Sequence, residues 1–252
     1  MRAAFVIAVI VIGMAGEARA LDPFEIQVYD GTANARRAYG LELHLNDVAS
    51  GRTTATPPEL PANHQAHVTL EPSYGVTPSW ELGAYLQGAF RPSGQFDFAG
   101  VKLRSKLVTP PGWRPHLRAG LNIEVSYLPT TYEADQWGAE LRPIVAWENE
   151  RVLLAANPII DLPLRRGRVT FEPAATAVLK LAGRVGLGVE YYGDLGPIAA
   201  PDRLADEQHY LFEVLNLLGV RDFELNVGVG EGLTAASNAF VVKMILGRTW
   251  GR

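Results

Sequence analysis

A chain of 252 residues with a formal net charge of −4 and no cysteine lacks the basic surplus expected of a nucleic-acid binder and the thiols needed for disulfides or thiolate metal sites. Its 48% hydrophobic content, with 25 glycines and 17 prolines, fits many short strands and turns in a soluble domain or a barrel alike.

Residues 1–20 read as a cleaved signal peptide: Arg2, an apolar run from Ala3 to Met14, then Ala18-Arg19-Ala20. The alternative, an uncleaved anchor, is disfavoured because the run falls short of the ~20 residues of a membrane helix. No later stretch approaches ~18 uninterrupted apolar residues, so a membrane protein built from this chain has to cross with strands. Residues 21–37 then offer one short strand, from Leu21 to Tyr29, and a polar turn at Asp30-Gly31. They precede the barrel domain, 38–252, and are expected to fold against its periplasmic mouth or into its lumen as a plug.

From Tyr39 the alternation is regular, with Leu41, Leu43 and Leu45 opposed to Glu42, His44 and Asn46. After a Pro- and Thr-rich loop at 50–64 come Val68, Leu70 and Tyr74 opposed to His67, Thr69, Glu71 and Ser73, then a tight turn at Gly75–Ser79. The strand Trp80–Phe90 carries Trp80, Leu82, Ala84, Leu86, Gly88 and Phe90 on one face and Glu81, Tyr85 and Gln87 on the other. Ten residues at ~3.3 Å rise, tilted by about 40°, span ~25 Å, the height of an outer-membrane apolar band. Trp137 with Trp147, and Phe240 with Trp250, repeat that spacing on one face. With Tyr74 and Trp113 these residues form the expected interfacial aromatic belt.

Further strands are expected at 96–107, 116–128, 138–147, 152–162, 169–181, 185–192, 209–218, 222–230 and 239–250, twelve in all. From a periplasmic N-terminus the longest connections, 50–64, 129–137 and 193–208, fall outside, and the turns at 75–79, 148–150, 183–184 and 219–221 fall inside. This predicts an all-β, antiparallel up-and-down transmembrane barrel in the outer membrane. Pro72, Pro143, Pro158 and Pro173 resist the reading because each removes a ladder donor. The segment around Phe212 is also poorly patterned: Tyr210, Phe212 and Val214 share one face, but Glu213 shares the other with Leu211, Leu215 and Leu217.

The polar faces carry Glu42, Glu71, Glu81, Glu124, Glu140, Glu172, Glu190 and Glu224 against Lys102, Arg104, Lys106, Arg118, Arg142, Lys180 and Lys243. A Lys or Arg facing lipid at the midplane costs ~2–4 kcal/mol, so in a membrane barrel this face lines the lumen, His44 with it. The mirror image, a soluble periplasmic barrel or sandwich with its apolar face inside, has the same alternation. Acidic residues on the first three strands beside basic ones on the next three imply either a transverse field that selects solutes or a set of pairs that closes the barrel as a structural element.

Catalytic signals are weak, and no enzyme, cofactor or metal is expected. The five histidines show no metal-binding spacing. An outer-membrane hydrolase would need Ser73 or Ser126 near His44 or His67. The stretch Asp22-Pro23-Phe24-Glu25-Ile26-Gln27-Val28-Tyr29-Asp30-Gly31, followed by Gly40-Leu41-Glu42-Leu43-His44-Leu45-Asn46, resembles the start of a group of proteobacterial outer-membrane barrels. The whole chain is loosely similar to barrels grouped with the MetA pathway of phenol degradation. That resemblance implies lipid-bilayer residence and small-solute transport, and it assigns no site residues.

Overall fold

Alternation with a period of two gives each strand one apolar and one polar face, and a sheet of such strands avoids free edges only by closing. The computed structural model describes residues 21–181, 184–218, 220 and 222–251, so the signal-peptide reading of 1–20 lies outside the described residues. The strands are β1 (Tyr39–Ser50), β2 (Ala66–Thr77), β3 (Trp80–Phe90), β4 (Phe96–Val108), β5 (Leu117–Tyr127) and β6 (Trp137–Glu148). They continue as β7 (Val152–Pro163), β8 (Thr170–Lys180), β9 (Val185–Asp194), β10 (Gln208–Leu217), β11 (Phe223–Gly232) and β12 (Phe240–Trp250). Each pairs antiparallel with its sequence neighbours, and β1 closes on β12 from Tyr39↔Trp250 to Asp47↔Val242.

The barrel is inside-out. Leu82, Leu86 and Val145 are 41%, 49% and 53% exposed on the outer wall, whereas Glu81, Arg104 and Arg142 keep 2%, 4% and 3%. That distribution excludes the soluble mirror image, whose apolar face would fill the centre. Trp80, Phe90, Trp113, Trp137, Trp147, Phe240 and Trp250 are all exposed, and Tyr74 is half-buried with its ring 5.0 Å from Tyr39. Long connections at 51–65, 128–136 and 195–207 crowd one end, and tight ones at 78–79 and 149–151 mark the other. The connection at 109–116 is the longest at the tight-turn end, and it carries Trp113.

All four in-strand prolines point outward, which is why a charged inward residue precedes Pro72, Pro143 and Pro173. The register set by Leu141↔Ile160 brings Pro143 opposite Pro158, and Pro158 pairs with Pro173, making a lateral row across β6, β7 and β8. Two facing prolines donate nothing, and the β6–β7 pairing is interrupted between Leu141↔Ile160 and Val145↔Ala156. Pro72 lies at a similar interruption between Leu70↔Leu86 and Ser73↔Gly83.

The parity of β10 places Tyr210, Phe212 and Val214 inside. Glu213 therefore stands on the outer wall between Leu211 and Leu215, with Val189 and Val229 as its cross-strand partners. The expectation that the charged face lines the lumen fails on this strand, where Glu213 faces outward and the inward residues join an aromatic and aliphatic cluster from β7–β10 and β12.

Candidate functional site

Residues 21–37 run through the barrel interior. They form no strand; the expected β-strand at their start is replaced by an extended chain whose backbone is held by side chains of the wall. Asn46 of β1 donates to Pro23 O at 2.8 Å, and Lys243 of β12 donates to Ile26 O at 2.9 Å. Arg142 of β6 donates to Gln27 O at 3.3 Å, and Arg118 of β5 to Asp30 O at 2.8 Å. Asn157 of β7 accepts from Tyr29 N at 2.7 Å and donates to Tyr29 O at 3.0 Å, replacing a strand partner with one amide.

The segment ends at the tight-turn rim, where Asn34 N donates to Glu81 at 2.6 Å and Arg37 N to Gly75 O at 2.6 Å. A Cβ on Gly75 would lie 2.1 Å from Ala35 O, so only glycine lets the two backbones meet. Arg37 then reverses the chain with φ 67°, and β1 begins after Ala38.

Glu25 and Tyr29 enter the ionic half of the interior. Glu25 accepts from Arg142 at 3.0 Å and lies 3.5 Å from Lys102, which also pairs with Asp22. The Tyr29 hydroxyl meets Tyr85 at 2.5 Å and Glu25 at 3.1 Å, while its ring lies 4.7 Å from Arg142, 5.0 Å from Lys106 and 5.8 Å from Arg104. Arg104 bridges Glu71 at 2.5 Å and Glu81 at 2.7 Å, and Lys106 adds a 3.0 Å contact to Glu81. To reach Glu71 on β2 from β4, Arg104 crosses β3 over Gly83, where a Cβ would lie 2.6 Å from its Nε. Each neighbouring carboxylate and cation is thus paired, as burial at this depth demands.

Of the charged positions assigned to the lumen, His44, Glu71, Glu81, Lys102, Arg104, Lys106, Glu124, Arg142, Glu190 and Lys243 are buried in the interior. Glu42, Arg118, Glu140, Glu172 and Lys180 are half-buried on the same faces, and Glu224 is exposed to a cavity at the tight-turn end. Lys243 pairs with Glu190, Arg142 with Glu140 at 2.7 Å, and Glu148 with both Arg118 and Lys180.

The opposite side of the segment, Ile26 with Leu21 and Val28, packs on Ile159, Ala174, Tyr192, Tyr210, Phe212, Val214 and Val241. Phe24 packs separately against Ala89, Ala99 and Leu128, edge-on to His67 at 4.8 Å and to Tyr132 at 5.8 Å. Tyr132 sits in the β5–β6 connection and donates to Asp97 at 2.6 Å; burial, then that carboxylate, pushes its pKa up to about 12.

Two cavities flank the segment and share no lining residue. One of about 130 Å³ opens toward the long-loop end and is lined by Asp22, Phe24, Lys102 and Glu124. The other, of about 320 Å³, lies toward the tight-turn end and is lined by Gln27, Tyr29, Glu42, Glu224 and Lys243. Among the described residues no hydrogen bond joins the Ser73 or Ser126 hydroxyl to a histidine ring: Ser73 accepts from Asn34 at 2.8 Å, His44 contacts Glu71 at 3.1 Å, and Ser126 and His67 share only the lining of the smaller cavity. Sequence reasoning missed the apolar side of the interior. The only signal there was the irregular face at Phe212.

No protein-family model matches the chain, and no curated protein matches it in sequence. A COG4313 outer membrane channel from Pseudomonas putida F1 is similar in structure, with a TM-score of 0.57 and 13% identity over 90% of this chain and 100% of that one. The KdgM porin gives a TM-score of 0.55 at 8% identity, over 85% of this chain and 99% of its own. The same porin in complex with disordered oligogalacturonate gives 0.50 at 10% identity, over 85% and 99%. At these identities the likeness establishes architecture, and this chain has the twelve-stranded fold of an outer-membrane β-barrel.

Proposed function

We propose that the protein is an outer-membrane channel for small solutes, reached by export through a cleaved signal peptide, in which residues 21–37 plug the lumen. The observation that carries this reading is the pair of cavities separated by a buried segment that belongs to no strand. A barrel built only as a wall has no need of an extended chain down its axis, or of cavities on both sides of it. By the rule that long loops face outward, the cavity beside Asp22 faces the exterior and the one beside Glu224 the periplasm. The lumen-lining residues then act in two ways: the ionic half seats the plug, and the cavities admit solute.

Deleting residues 21–37 should raise single-channel conductance in a planar bilayer several-fold over the full chain. Unchanged conductance would remove the plug. A second reading, a closed barrel with a structural role, is favoured by the ion pairs and ring contacts around Arg104, Arg142 and Tyr29. It predicts that the deletion variant also fails to conduct.

A further inference from the structure

At the tight-turn end, register stacks like charges where a barrel wall would ordinarily alternate them. Glu71 of β2 lies opposite Glu42 of β1, Glu42 opposite Gly247 of β12, and Gly247 opposite Glu224 of β11. Three carboxylates thus share one lateral row across four strands, interrupted only by a glycine. Like charges facing each other across a sheet repel, and burial raises that cost. A Cβ at Gly247 would lie 3.1 Å from both Glu224 Cβ and Glu42 Cγ, so the two acidic side chains close in over the glycine from either side.

The cations nearby are engaged: Arg104 is committed to Glu71 and Glu81, and Lys106 to Glu81. His44, one step along β1 and fully buried, places Nε2 3.1 Å from Glu71 Oε2 and 3.6 Å from Glu42 Oε2. Gln27 of the axial segment donates to Glu42 at 3.2 Å, while its own Oε1 is buried without a hydrogen-bond partner.

We propose that this cluster is a divalent metal site, with Glu42, His44 Nε2 and Glu71 as ligands and Glu224 as the third carboxylate, reaching the ion from across Gly247. One donor atom from each of Glu42, His44 and Glu71 lies within 4.8 Å of the others. Four donors at ~2.1 Å around zinc stand about 3.4 Å apart, and the imidazole-to-carboxylate separations of 3.1 and 3.6 Å bracket that edge. Imidazole among oxygens selects a first-row ion such as Zn²⁺ over Ca²⁺ or Mg²⁺. The ion enters from the 320 Å³ cavity, which Glu42, Glu71 and Glu224 all line, and Gln27 Oε1 is placed to accept from a metal-bound water. The proposal does not depend on whether the barrel conducts.

The test uses the full chain without a histidine tag, purified in detergent, stripped with EDTA and titrated with Zn²⁺ by calorimetry. One Zn²⁺ should bind per chain, with affinity at least tenfold lower in Glu42→Gln and in His44→Gln, and little heat from Ca²⁺. Folding of each variant is checked by heat-dependent gel migration. Absent Zn²⁺ uptake, or equal uptake in the Glu42→Gln/Glu224→Gln double variant, overturns the site, as does Ca²⁺ binding that His44→Gln leaves unchanged. Should the variants not fold, zinc X-ray absorption on the unaltered chain decides. One imidazole among oxygens supports the site, and several imidazoles, drawn from the other histidines, refute it.

Discussion

The two halves of the barrel interior hold the same axial segment by different chemistry. The inward faces of β1–β6 present His44, Glu71, Glu81, Lys102, Arg104, Lys106, Glu124 and Arg142, all buried. Those of β7–β12 present Ile159, Ala174, Val178, Tyr192, Phe212, Val214 and Ile245, with the buried Glu190–Lys243 ion pair among them. An extended chain alternates, so Glu25 and Tyr29 meet the first half while Ile26 and Val28 meet the second. A buried charge tolerates only its own partner, whereas an apolar surface accepts any shape of about the right volume. The ionic half therefore fixes where the segment sits, and the apolar half supplies burial with looser demands.

Four substitutions break or sharpen that contrast. Arg142→Ala removes the guanidinium that Glu25 and Glu140 share, leaving Glu25 only Lys102 as a cation, and should lower unfolding free energy in detergent by about 3–5 kcal/mol, and adding Glu25→Gln should recover part of the loss. A loss below about 1 kcal/mol would mean that the ionic half is not specific. Phe212→Ala opens a cavity on the other side and should cost about 3 kcal/mol, with Phe212→Leu costing much less. Asn157→Ala leaves both backbone groups of Tyr29 unsatisfied and should cost about 2 kcal/mol, read as faster proteolysis within 21–37 than elsewhere in the chain. Glu213→Leu removes the carboxylate from the apolar outer wall and should raise stability by about 1 kcal/mol; a loss instead would show that Glu213 has a partner at that wall.

Much of the fold was legible in the sequence because strand alternation is local. The span read as 96–107 is Phe96–Val108, and the span read as 138–147 is Trp137–Glu148. The even count and the alternating connection lengths followed from the same pattern. Register was not legible, since it depends on which residues of separate strands face each other. The row Glu71–Glu42–Gly247–Glu224 joins positions almost the whole chain apart, and the Pro143–Pro158–Pro173 row explains prolines that looked like errors one strand at a time. Tyr210, Phe212 and Val214 were ambiguous for a different reason. They are inward residues in an apolar half, so neither face of β10 reads as polar. The depth of residues 21–37 was hidden because side chains, not a ladder, hold them.

Ala38 alone separates this axial chain from β1, and Ala38 O accepts from Gly75 N at 2.9 Å at the rim. Were the chain to leave its seat, it would trail from that rim on a leash of about 55 Å at full extension. Its return would be a first-order event, since a short flexible linker keeps a tethered end at an effective concentration in the millimolar range. Reclosure would then proceed at the same rate in a sparse membrane as in a crowded one.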